Sequence, residues 1–245
     1  MALIDPNKKY KRLATFGCSF TRGHHLGHDG AWGHFLSNRL NCTHINVGGG
    51  QSNTNILTNV INFCEHNDMT DVCVGIQWSE PTRREFWRDE NNWYFVFGPE
   101  TLLDDSPTFH EFKFIRNNSA YFASIWFNLK ENVLRTVLAM KQATGYLKSK
   151  NIDFVMFEGF NPIKDENFDD VNTAYELSSY HNLSLLNKEV IMSIYNEKTF
   201  FKELGSLSDF MRAHPNWNSL ANDGHPHPEI LETWTNVLFD YIKKN

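Results

Sequence analysis

The chain has 245 residues, of which 41% are hydrophobic and 14% aromatic, and this length and composition suit one domain with a sizeable core. The formal net charge of -6 gives no basic field to attract a phosphate backbone, so a nucleic-acid partner is not expected. The sequence contains no apolar run near the roughly 20 residues of a membrane span, and its start lacks the pattern of a secretory signal peptide. We therefore expect a single cytoplasmic domain over residues 1–245, without a membrane partner.

Strands and helices alternate through the first third of the chain. The pattern predicts a strand at 11–16, a helix at about 31–40, a strand at 43–47, a helix capped by Ser52, and a buried strand at 71–77. This spacing is typical of right-handed βαβ crossovers. It predicts an α/β protein with a mostly parallel sheet that helices cover on both faces.

The alternation stops near residue 86. Residues 86–123 are dense in Trp, Phe, Tyr, Asn and Asp without a clear period, and we interpret them as an insertion or lid over the sheet. Beyond it, the pattern predicts a long helix at about 125–148, a strand at 153–157, a polar segment with a short helix at 160–180, a helix at 183–195 and an amphipathic closing helix at 229–242.

The four cysteines stand at irregular spacings without a Cys-x-x-Cys motif: Cys18, Cys42, Cys64 and Cys73. Cys64 and Cys73 lie in apolar stretches, which favours buried free thiols over disulfides.

Ser19 directly follows the first predicted strand, in a glycine-flanked turn. Ligands of parallel sheets bind beyond the carboxyl ends of the strands, where this serine would lie. Near the other end of the chain, Asp223 and His225 come just before the closing helix. A serine becomes a nucleophile when an imidazole takes its proton and a carboxylate orients that imidazole. These three residues are the candidate triad, with His227 as an alternative base; the other interpretation of Ser19 is a turn or N-cap serine.

An acyl-transfer site also needs donors for the oxyanion that forms on the substrate. The backbone amides of Ser19 and Gly50 are the candidates, because a run of three glycines follows the second strand. Asn53 and Gln77 are candidate side-chain donors, although each is more typical of a structural hydrogen bond.

These motifs resemble the SGNH, or GDSL-like, hydrolase family. The resemblance spans nearly the whole chain and rests on three blocks in the family's order: Gly17-Cys18-Ser19-Phe20-Thr21, Asn46-Val47-Gly48-Gly49-Gly50-Gln51-Ser52-Asn53 and Asp223-Gly224-His225-Pro226. It implies a flavodoxin-like three-layer α/β/α sandwich and cofactor-free hydrolysis or transfer of acyl groups, often O-acetyl groups on carbohydrates. By this resemblance Ser19 matches the nucleophile, Gly50 the oxyanion glycine, and Asp223 and His225 the acid and base.

The chain departs from the family pattern in three places. Cys18 stands where an aspartate is usual, and one residue rather than two separates Asp223 from His225. The third block, where the family has Gly-x-Asn-Asp and uses the asparagine amide for the oxyanion, is replaced by a segment similar to that of some phage and marine bacterial proteins: Gly75-Ile76-Gln77-Trp78-Ser79-Glu80-Pro81-Thr82-Arg83.

Two other groups of residues carry less specific signals. His24, His25, His28 and Asp29 have no ordered ligand spacing, so we expect a polar loop there and no metal site. The aromatic residues of segment 86–123 are interpreted either as a wall for a sugar or acyl chain, as plain core, or as an oligomer contact.

The sequence thus predicts a metal-independent serine esterase or acyl hydrolase that acts on a small-molecule or carbohydrate ester. Two alternatives stay open. One is a catalytically inactive protein of the same fold, such as a phage component, whose location would be the host cytoplasm or the virion. The other is an acyltransferase that uses the same triad.

Overall fold

The computed structural model describes residues 3–23, 26–88, 93–97, 129–160, 190, 193–215 and 225–245. Seven strands lie in these ranges: β1 (Arg12–Phe16), β2 (Thr43–Asn46), β3 (Val72–Trp78), β4 (Arg84–Arg88), β5 (Trp93–Phe97), β6 (Asp153–Glu158) and β7 (Phe200–Phe201). The same ranges contain six α-helices: α1 (Ser19–Arg22), α2 (Trp32–Arg39), α3 (Asn53–His66), α4 (Leu129–Ser149), α5 (Leu207–Ala213) and α6 (Pro228–Lys244).

Five of the strands form one parallel sheet in the order β2-β1-β3-β6-β7. All four strand pairs are parallel, with Phe16 of β1 beside Ile76 of β3, and Trp78 of β3 beside Glu158 of β6. Counted along the sheet's own strands, this is the 2-1-3-4-5 order of flavodoxin-like folds. The predicted fold class is confirmed.

Helices cover both faces of the sheet, because alternate strand residues point to opposite sides and both sides are apolar. On one face, Ala14 and Phe16 belong to a core cluster built with α3 and α4. On the other face, Leu13 belongs to a second cluster built with α2 and α6. The sheet and its two helical layers make the expected three-layer sandwich.

The sheet strands and the principal helices begin within about four residues of their predicted positions. The structure adds a short last strand, β7, and a short helix, α5, that the sequence patterns did not predict. It also places an antiparallel hairpin, β4 and β5, at the start of the expected insertion. Most of the insertion, the segment at 160–180 and most of the predicted helix at 183–195 lie outside the described residues.

All four cysteines carry free thiols, and Cys18, Cys64 and Cys73 are buried. Burial raises the pKa of Cys64 to about 11. Within the described ranges, no helix combines the length and the apolar character that crossing a membrane requires.

Candidate active site

Ser19 is the first residue of α1, two residues beyond Gly17 and three residues beyond Phe16, the last residue of β1. Gly17 has a φ of +157°, and a Cβ there would lie 2.1 Å from Thr21 Oγ1 and 2.8 Å from the carbonyl oxygen of Gln77. Only glycine therefore fits this close approach. The amides of Thr21 and Arg22 both donate to the carbonyl of Cys18, at 3.0 and 3.1 Å, and so fix the turn that presents the serine.

His225 reaches this turn from the other end of the chain. Its Nε2 lies 3.0 Å from Ser19 Oγ, across 206 sequence positions. In the neutral imidazole that carries its proton on Nδ1, Nε2 accepts the serine hydroxyl proton. The Phe20 ring packs edge to face on the imidazole, with centroids 5.6 Å apart, and the Phe160 ring packs on Phe20 in turn. The half-buried imidazole is thus held between Ser19 and an aromatic wall.

The two other candidates near the closing helix have different outcomes. Asp223 lies outside the described residues. His227 is the N-cap of α6, and its Nδ1 accepts from the amide of Glu229 at 3.5 Å. The structure therefore brings His225 to Ser19 and places the alternative base at a helix end.

The glycine run after β2 lies against the nucleophile turn, defined here as residues 17–22 around the candidate nucleophile Ser19. The amide of Gly49 donates to the carbonyl of Gly17 at 3.0 Å, and Asn46 Nδ2 donates to the carbonyl of Thr21 at 2.9 Å. A Cβ on Gly48 would lie 2.6 Å from the amide nitrogen of Arg22, whereas a Cβ on Gly50 would meet nothing within 4 Å. Gly50 is exposed, so its backbone borders open space beside the turn that carries the serine.

The structure corrects the predicted role of Asn53. Its Oδ1 accepts from the amide of Ser79 at 2.7 Å, and its Nδ2 donates to the Ser79 carbonyl at 3.0 Å and to Thr136 Oγ1 at 2.9 Å. An amide group has two protons, and both already have acceptors inside the protein. Asn53 therefore has no proton left for an oxyanion.

Gln77 is engaged in the same way. Its Oε1 accepts from Thr21 Oγ1 at 2.5 Å, and its Nε2 donates to Cys18 Sγ at 3.2 Å. Thr21 Oγ1 also accepts from the indole N–H of Trp32 at 3.1 Å. The patterns of the sequence did not predict this network, although one polar residue in the otherwise apolar β3 was a readable signal of a buried partner.

No family model matches the sequence, and no curated protein matches it significantly. Solved structures, by contrast, do match it. The psychrotrophic esterase EstA from Pseudoalteromonas sp., in a structure inhibited by monoethylphosphonate, is similar at a TM-score of 0.50 and 11% identity over 96% of this chain and 97% of that one. The chain has the SGNH hydrolase fold.

Two further structures are similar at lower TM-scores. A member of the lipolytic G-D-S-L family from Veillonella parvula DSM 2008 has a TM-score of 0.46 and 12% identity over 93% of this chain and 97% of that one. A lipolytic G-D-S-L family protein from Desulfitobacterium hafniense DCB-2 has a TM-score of 0.49 and 11% identity over 94% of this chain and 99% of that one.

Within the SGNH fold, the carboxyl ends of β1, β2 and β3 bring the nucleophile turn, the glycine run and the altered third block to one edge of the sheet. Two residues of the histidine-rich loop, His24 and His25, fall outside the described residues. Among the side chains that the structure describes, no group of three or more His, Cys, Asp or Glu is arranged to hold a metal ion.

Proposed function

We propose that this chain is a serine esterase that hydrolyses its substrate through an acyl-enzyme on Ser19, without a metal or cofactor. The observation that carries the proposal is the 3.0 Å contact between Ser19 Oγ and His225 Nε2, which is within reach for a nucleophile and its general base. The fold shared with a solved esterase supports the same chemistry.

In the proposed reaction, Ser19 Oγ attacks the ester carbonyl carbon while His225 Nε2 takes the hydroxyl proton. The oxyanion accepts hydrogen bonds from the backbone amides of Ser19 and Gly50. When the intermediate collapses, the carbonyl re-forms and the alkoxide leaves with the proton from His225. A water molecule then repeats the sequence and frees the acid. Asp223, two residues before His225, is the proposed carboxylate that orients the imidazole.

The proposed substrate is a small-molecule or carbohydrate ester, and an O-acetyl carbohydrate is the case that the family resemblance suggests. An acyltransferase would use the same residues and differ only in the acceptor. Product analysis with and without an added alcohol acceptor separates the two, because a transferase forms the new ester in competition with hydrolysis.

A fluorophosphonate probe tests the proposal, since an activated serine attacks its phosphorus atom and keeps the phosphonyl group. The esterase from Pseudoalteromonas is described as inhibited by a phosphonate, which motivates this reagent. We expect mass spectrometry to find the adduct on Ser19 in the native chain. Ser19→Ala and His225→Ala should abolish labelling.

His227→Ala is the matched control, because it removes a histidine two positions away that caps a helix and does not contact Ser19. It should keep labelling. If the folded native chain is not labelled at Ser19, the esterase proposal is wrong and a non-catalytic role becomes the better interpretation. If His227→Ala abolishes labelling and His225→Ala does not, the assignment of the base is wrong.

A further inference from the structure

Ser79, the first residue after β3, has a buried hydroxyl group without a hydrogen-bond partner. The residue is 3% exposed, and its Oγ contacts no donor or acceptor in the described structure. Burying a hydroxyl in this state is unfavourable, because the group loses its hydrogen bonds to water and gains none. Most buried hydroxyl groups have a hydrogen-bond partner, so one without a partner needs a physical explanation, of which use by a ligand or a reaction is one.

Ser79 follows the strand that neighbours β1, whose end leads to Ser19. Phe16 and Ile76 are paired in the parallel β1–β3 ladder, so the residues three positions further along each chain are Ser19 and Ser79. The segment that follows β1 stays against β3, because Gln77 Nε2 of β3 lies 3.2 Å from Cys18 Sγ. Ser79 therefore lies at the same edge of the sheet as Ser19, one strand away.

The backbone of Ser79 is fixed on both sides of its Cα. The Asn53 side chain accepts from the Ser79 amide at 2.7 Å and donates to the Ser79 carbonyl at 3.0 Å. Only rotation about the Cα–Cβ bond is left to the hydroxyl, which has three staggered positions. Reorienting the Oγ therefore requires no movement of the backbone.

We propose that the Ser79 hydroxyl donates a hydrogen bond to the oxyanion, as a third donor beside the backbone amides of Ser19 and Gly50. This inference rests on the esterase function proposed above. The side-chain amides at this edge, Asn53 and Gln77, are engaged within the protein, whereas the Ser79 hydroxyl is not. As Ser19 Oγ bonds to the carbonyl carbon, the electron pair of the C=O π bond moves to oxygen, and Ser79 stabilises that charge without itself being consumed.

Ser79→Ala tests the inference with p-nitrophenyl acetate as substrate. Removing one oxyanion donor commonly lowers kcat by about 100-fold or more, and we expect a loss of at least about 10-fold with KM within about 2-fold. The thermal unfolding midpoint should not fall, because the variant removes an unpartnered hydroxyl rather than a hydrogen bond. The rate of fluorophosphonate labelling at Ser19 should fall as well, because the phosphonyl oxygen occupies the same position as the oxyanion.

Thr199→Val is the matched control. Thr199 is also 3% exposed with a buried, unpartnered hydroxyl, but it precedes β7, two strands away from β3. It should keep native kcat. The inference is overturned if Ser79→Ala loses less than about 10-fold in kcat while Ser19→Ala is inactive, or if its kcat and unfolding midpoint fall together. Failure to label Ser19 in the native chain, by contrast, refutes the esterase function and this inference with it.

Discussion

Asn53→Ala tests whether Asn53 is a clamp, meaning a side chain whose hydrogen bonds hold the second sequence block against the third. Alanine would leave three buried groups without partners: the Ser79 amide, the Ser79 carbonyl and the Thr136 hydroxyl. Each buried group that loses its partner costs about 1–3 kcal/mol, so the free energy of unfolding should fall by about 3–5 kcal/mol once partial relaxation is allowed for. Asn53 is 5% exposed, so little water can replace the lost bonds.

Urea unfolding followed by circular dichroism measures this loss, and the thermal midpoint should fall by roughly 6 to 20 °C for a domain of this size. Asn38→Ala is the control: Asn38 makes one exposed hydrogen bond to His34 on α2, and its removal should change stability by no more than about 0.5 kcal/mol. If Asn53→Ala stays within about 1 kcal/mol of the native stability, the clamp is refuted. A loss of kcat at unchanged stability would restore Asn53 as an oxyanion donor.

Two further variants probe the scaffold of the site. Gly17→Ala should lower the free energy of unfolding by about 2–4 kcal/mol, because its Cβ would overlap Thr21 Oγ1 and the Gln77 carbonyl; a urea midpoint equal to the native one would contradict this packing. Tyr10→Phe should reduce the loss of stability at alkaline pH. Burial, followed by the hydrogen bond to Asp153, raises the pKa of Tyr10, so its contribution is complete below about pH 10 and declines above it as the unfolded chain ionises. Urea midpoints at pH 8 and 11 measure the effect, and equal alkaline losses in both proteins would count against it.

Much of the fold could be predicted because buried parallel strands leave a clear pattern. β3 is buried along its whole length, and its apolar residues give its limits to within one residue. β7 has two residues, Phe200 and Phe201, too few to carry any period. Helix α5 is also short, but Ser206 and Asp209 form a capping box that was a readable start signal.

Some features of the candidate site could likewise be predicted from the sequence, and others could not. The contact between Ser19 and His225 could be predicted from their residue types, their positions at element ends and their order along the chain. The role of Asn53 could not, because an amide proton is the same donor whether it meets an oxyanion or a carbonyl group. Only the positions of Ser79 and Thr136 in space decide between the two, and no spacing in the sequence specifies them.

The change in the third block is accompanied by a change at Cys18, which lies next to Ser19 and contacts Gln77. Cys18, where the resemblance expects an aspartate, is fully buried and its Sγ accepts from Gln77 Nε2. Gln77 in turn accepts from Thr21, which accepts from the Trp32 indole. An aspartate at position 18 would place a carboxylate in this buried network, where a charge is costly to desolvate. The cysteine and the glutamine are therefore mutually consistent substitutions.

This network holds the Ser19 turn independently of the imidazole that contacts Ser19. Gln77, Thr21 and Trp32 do not titrate, so the two hydrogen bonds among them do not depend on pH across the neutral range. The imidazole that contacts Ser19 Oγ belongs to His225, which approaches from a different segment of the chain. The support of the turn by β3 is therefore separate from the contact that the proposed base makes with Ser19.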